Sequence, residues 1–194
     1  MPIRTTSINI KNIGGKTLNV LFLLIGGLLL SQNYPIRFGT KGGWNYSVVD
    51  AIDNEGQPSG YISDIIDEMY AGLALEKQIT QKSFIQSGLQ ISFTGGITFL
   101  ELPVFYKYRF YKNFSVIGGP KLDYIPDEQY NWGFYFRNRF GVSANLGIDY
   151  KISKKLTAEA YYSRGLVKQY DDLILEYYNS KRNVYRVGIT YFFN

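Results

Sequence analysis

Between Leu100 and Phe110 the chain reads LELPVFYKYRF, and alternate residues fall into two unlike sets. Leu100, Leu102, Val104, Tyr106, Tyr108 and Phe110 make one set; Glu101, Pro103, Phe105, Lys107 and Arg109 make the other. A period of two marks a β-strand whose two faces meet different surroundings. Globular strands commonly run about five to six residues. A strand that crosses a bilayer at a tilt needs about nine to eleven. Long two-faced strands suit a closed all-β barrel, and the open question is which face is inside.

The alternation recurs along the rest of the sequence. Phe38, Trp44 and Tyr46 alternate with Arg37, Lys41 and Asn45. Met69, Leu73 and Leu75 oppose Tyr70, Ala74 and Glu76, and Ile85, Leu89, Ile91 and Phe93 oppose Gln86, Gly88, Gln90 and Ser92. Phe114, Val116 and Leu122 oppose Ser115, Lys121 and Asp123, while Val142, Leu146 and Ile148 oppose Arg139, Asp149 and Lys151. Leu156, Ala158, Ala160 and Tyr162 oppose Thr157, Glu159 and Tyr161; Tyr185, Val187 and Ile189 oppose Arg186 and Gly188. Turn formers separate these runs. The segments Thr80–Ser83, Tyr111–Asn113 and Ser153–Lys155 are short, whereas DAIDNEGQPSGYISD, Pro126–Asn138 and Val167–Ser180 are long. Gly95-Gly96 is a short connection on the long-loop side. Short turns at one end and longer loops at the other is the layout of outer-membrane barrels. The expected fold is all-β: an eight-stranded antiparallel up-and-down transmembrane β-barrel over residues 32–194.

The polar faces carry Arg37, Lys41, Glu76, Glu101, Lys107, Arg109, Lys121, Asp123, Arg139, Asp149, Lys151, Glu159 and Arg186. In a membrane barrel these point into a lumen just wide enough for side chains and form a structural ion network. Partners for Glu101 are expected among Lys107, Arg109 and Arg186. The alternative is a secreted, calycin-like carrier of small hydrophobic ligands, with the apolar face inward. The 18 tyrosines and 13 phenylalanines favour the membrane arrangement. A small interior cannot hold so many rings, whereas aromatic girdles at two interfaces can. Pro103 and Pro120 remove ladder donors, which implies a bulge or a gap in the sheet, or else a hinge.

Residues 18–30, LNVLFLLIGGLLL, carry no charge, follow Lys11 and Lys16, and lead to Ser31. The run is short for a spanning helix, which needs roughly 20 residues. Residues 1–31 therefore read as a signal peptide; a buried helix or single anchor is the alternative. Without Arg4, Lys11 and Lys16 the charge is close to balanced, so the basic pI belongs largely to the leader and no nucleic-acid partner is expected.

The chain has no cysteine and no histidine. Thiolate chemistry, the usual general base and the commonest metal ligand are all missing. No catalytic, cofactor-binding or metal site is expected. Glu101 and Asp149 could act as a carboxylate pair in a histidine-free hydrolase, but a structural network is the simpler reading. Tyr130, Trp132, Phe134, Tyr135 and Phe136 cluster in one loop. They read as a contact patch, a girdle rim or an extension of the flanking strands.

FLELPVFYKYRF followed by NFSVIGGPKLDYI resembles a strand–turn–strand pattern of the PorT-like small outer-membrane β-barrel family. FGVSANLGIDYKISKKLTAEAYYSRGL is similar to its next hairpin, VYRVGITYFF to its closing strand, and FGTKGGWNYS to its opening strand. The resemblance implies an integral protein of a Gram-negative outer membrane. It further implies a non-enzymatic role, structural or as partner of a surface or secretion complex. Implied partners are outer-membrane lipid, the barrel-assembly machinery through the C-terminal strand, and a protein bound at surface loops. Family members usually finish on an aromatic residue; here Phe193 is followed by Asn194.

Overall fold

A computed structural model describes residues 34–49, 68–94, 97–126, 138–167, 169 and 181–193. The leader and the cluster Tyr130–Phe136 lie outside the described residues. Nine strand segments follow in chain order: β1 (Ile36–Val49), β2 (Glu68–Gln78), β3 (Ser83–Ser87), β4 (Gln90–Thr94), β5 (Ile97–Tyr111), β6 (Phe114–Tyr124), β7 (Phe140–Lys151), β8 (Leu156–Gly165) and β9 (Arg182–Phe192). All pairings are antiparallel, and β1 pairs with both β2 and β9, which closes the sheet. Closure leaves no free edge. Segments β3 and β4 occupy one position between β2 and β5, so the wall has eight staves.

The one departure from eight continuous strands is the break at Gly88-Leu89, and its cause lies on the neighbouring strand. Register is the same on both sides of it, with Ser87 opposite Val104 and Gln90 opposite Glu101. That register puts Pro103 across from Gly88. Proline has no N–H to give the ladder. Pairing to β2 continues, with Leu73 N–H donating to Leu89 O at 2.8 Å. On the β5 side, Ser87 Oγ donates to Pro103 O at 2.8 Å. The β5–β6 ladder lapses at the adjoining position, where Val104 and Phe105 face Gly119-Pro120. Gly119 has φ +155°, and a Cβ there would strike the Val104 carbonyl. Both prolines are thus gaps in the ladder, while the register shift of the β5–β6 pair lies away from them, between Arg109 and Tyr111 at the turn end.

The short connections form one end. Ile79 N–H donates to Ser83 O at 2.8 Å, and Thr80 Oγ1 accepts from Ser83 N–H at 3.0 Å. Lys112 turns β5 into β6 with φ +36°. Ser153 Oγ accepts from the N–H groups of Lys155 and Leu156 at 3.2 and 3.1 Å, as a serine-initiated turn does.

The apolar set lies outside. Val104 is 37%, Leu146 66% and Ile189 50% exposed, whereas Glu101 is 0% and Arg186 1%. This is the reverse of a calycin-type carrier, which needs the apolar face within. Aromatics line up across strands on the outer wall. Phe114 meets Tyr150 with ring centroids 4.7 Å apart, Tyr124 meets Phe140 at 4.9 Å, and Tyr162 meets Tyr185 at 4.9 Å. The first pair sits near the turn end and the others toward the loop end, as two interfacial girdles require.

The filled lumen as candidate functional site

Inward residues from all eight staves build three tiers. At the turn end Glu76 of β2 holds two cations, Arg37 at 2.8 Å and Lys107 at 3.0 Å. Lys107 also pairs with Asp149 of β7. Arg37 stacks over Phe192 at 3.9 Å, and Arg109 over Phe84 at 4.8 Å. Aromatic faces attract cations, and they fill space that an ion pair alone would leave open.

In the middle tier Glu159 of β8 pairs with Lys41 at 2.8 Å and accepts from Tyr70 Oη at 2.8 Å. The Tyr70 ring fits because Gly43 and Gly188 face it; a Cβ at either would collide with the ring or its hydroxyl. Phe105, Ile117 and Tyr161 form a buried apolar plug, with Phe105 and Tyr161 edge to face at 5.4 Å.

Arg186 joins the middle tier to the loop end. Its guanidinium donates to Gln90 Oε1 at 2.8 Å, Tyr161 Oη at 2.9 Å and Asn45 Oδ1, and lies 4.2 Å above the Tyr70 ring. It also pairs with Glu101 at 2.7 Å. Glu101 is further held by Lys121 at 2.8 Å and Arg182 at 3.4 Å. Lys121 reaches Asp123 at 3.1 Å, and Ser143 donates to Asp123 at 2.9 Å. A fully buried carboxylate among three cations is compensated in the way the low-dielectric interior demands.

Of the residues expected in the lumen, Arg37, Lys41, Glu76, Glu101, Lys107, Lys121, Asp123, Asp149, Glu159 and Arg186 are joined by these ion pairs. Arg109 and Lys151 are half-buried at the turn end. Arg139 departs from the expectation. It is exposed and precedes β7, with its carbonyl accepting from Ile125 N–H at 3.0 Å. Inward alternation begins only where the ladder does. Glu101 pairs with Arg186 as expected, but not with Lys107 or Arg109. Six residues of one strand separate Glu101 from Lys107, roughly 20 Å, so cross-strand cations reach it first. The same distance keeps Glu101 from Asp149, which is bound to Lys107, and the two carboxylates do not form a pair.

Several lumen residues escaped the sequence reading: Tyr70, Asn45, Gln90, Tyr161, Thr190 and Arg182. Their inward phase was legible, but uncharged groups gave no sign of a role. Arg182 lies between the loop read as Val167–Ser180 and the alternation read from Tyr185; counting back by twos from Arg186 through Val184 places it on the inner face.

No protein-family profile matches the chain, and no curated protein matches it in sequence. Solved structures do match in fold. Neisserial surface protein A is 8% identical, with a TM-score of 0.50 over 84% of this chain and 100% of that one. The outer membrane protein AlkL, determined by solid-state NMR in DMPC bilayers, is 8% identical, with a TM-score of 0.50 over 85% and 97%. At such identity the likeness is one of fold. Closed wall, apolar exterior and charged interior are those of an outer-membrane β-barrel. The outer membrane of a Gram-negative bacterium is where such an exterior is stable.

Proposed function

We propose that this barrel is non-enzymatic and works through its outer surfaces, as a structural component of the outer membrane or as partner of a surface or secretion complex. The observation that carries the reading is the lumen: Arg186, Lys121, Phe105, Ile117 and Phe99 are buried in it and tied into one network. A filled eight-stranded barrel has no path for solute, so what it does falls to its wall and loops. The PorT-like resemblance supports the secretion-complex form of this role. Assembly into the membrane is assigned to recognition of β9 by the barrel-assembly machinery. Purified protein in planar bilayers should show no stable large conductance, and pull-down of detergent-solubilised protein should retain a defined membrane or periplasmic neighbour. Steady porin-like currents from pure protein contradict the proposal.

A further inference from the structure

The three short turns carry Lys82, Lys112, Lys154 and Lys155 and no acid. Apart from the acids of the lumen, every Asp and Glu of the sequence falls within 50–68, 127–128 and 171–176, in or beside the long connections. At the turn end Glu76 and Asp149 are buried and taken up by Arg37 and Lys107. Arg109 and Lys151 are left in the mouth with no carboxylate partner among the described residues. Both keep the inward phase of their strands, and both are half-buried. The Arg109 N–H donates to Lys82 O at 2.8 Å, and the Lys151 N–H to Asn113 O at 2.9 Å, which sets two of the turns beside them. Arg37 Nη2 donates to Lys154 O at 2.6 Å and brings the third turn to the same mouth. Lys151 meets the positive charges of Arg109, Arg37 and Lys107, against the negative charge of Glu76. We propose that this mouth is a docking surface for an acidic segment of a periplasmic protein, whose carboxylates pair with Arg109 and Lys151 inside a rim of turn lysines.

Short turns of outer-membrane barrels face the periplasm, so this end meets water and soluble proteins. Like charges crowded at a half-buried mouth repel one another, and an incoming anion relieves the repulsion. Position decides which anion that is. Lipid headgroups surround the wall and reach the outer rim only. Arg109 and Lys151 point toward the barrel axis, so an anion that meets them arrives along the axis from the aqueous side. A chain segment bearing several carboxylates can do this and touch the turn lysines at the same time. A guanidinium is suited to paired hydrogen bonds with a carboxylate, and a surface of one sign steers an acidic partner toward it. The inference deepens the partner role proposed above and rests on it.

The test is fluorescence anisotropy of a labelled oligoglutamate peptide titrated with the full chain in phosphatidylcholine nanodiscs. Wild-type protein should bind oligoglutamate and not oligolysine. Raising salt from about 0.01 M to about 0.15 M shortens the screening length from roughly 30 to roughly 8 Å and should weaken binding roughly tenfold or more. Lys151→Gln removes no ion pair or hydrogen bond of the fold and should weaken binding roughly threefold; Arg109→Gln with Lys151→Gln should weaken it roughly tenfold. Lys181→Gln removes a cation beside β9 at the loop end and should bind as the wild type does. Absence of binding by the wild type overturns the proposal. Binding that survives the double substitution does so too, because the contact is then with the rim, which headgroups also reach. An equal loss in Lys181→Gln overturns it as an effect of net charge alone. The titration needs no natural neighbour: its failure beside a neighbour retained in pull-down sinks this surface only, whereas an empty pull-down beside intact peptide binding sinks the partner role.

Discussion

At the scale of single residues, Glu101 bears the heaviest demand. It is fully buried and answers Arg186, Lys121 and Arg182 at once. Glu101→Gln removes the charge but not the volume, leaving three buried cations short of their common partner. Breaking such a pair costs about 3–5 kcal/mol, so urea unfolding of the reconstituted variant should show a loss of that order. An unchanged midpoint would mean the network relaxes around water. Lys112 presents the opposite case. With φ +36° it occupies a backbone region that a lysine side chain disfavours. Lys112→Gly relieves the strain, although glycine also loosens the unfolded chain. The balance predicts a gain of up to about 1 kcal/mol in the same assay.

At the scale of elements, the faces of the strands could be read from the sequence and the pairing between them could not. Alternation puts Glu101, Lys107 and Arg186 inside without any knowledge of neighbours. Which cation meets which carboxylate depends on register and closure, and these set Lys121 rather than Lys107 against Glu101. The split into β3 and β4 was hidden for the same reason. Nothing within SFIQSGLQISFT interrupts the period of two; the interruption comes from Pro103 across the ladder. This gap gives a prediction in hydrogen exchange. Amides at Gly88 and Leu89 should exchange faster than those at Leu75 or Ser115, which sit in unbroken ladder. Pro103→Val restores a donor and should slow them. If Gly88 and Leu89 are as protected as their neighbours in the wild type, the gap has no dynamic consequence and proline is merely tolerated there.

At the scale of the whole molecule, a closed eight-stave wall turns a simple binary pattern into a protein with its polar core inside and its apolar surface outside. The tiers of ion pairs and rings explain why the lumen is shut, and the girdles explain where the rest of the aromatics went. All of this depends on Val104, Leu146 and Ile189 facing lipid. The chain has no native thiol, so a single cysteine at any of the three can carry a spin label without a background. Arginine at these sites should cost roughly 2–4 kcal/mol near mid-bilayer, but accessibility is the more direct reading. In reconstituted protein, labels at 104, 146 and 189 should be relaxed by oxygen dissolved in the lipid and shielded from a water-soluble nickel reagent. Labels at Asn54 and Gln129, in segments read as loops, should show the reverse. If the labels at 104, 146 and 189 are immobile and shielded from both reagents, those residues form a soluble core, and the membrane-barrel account is contradicted.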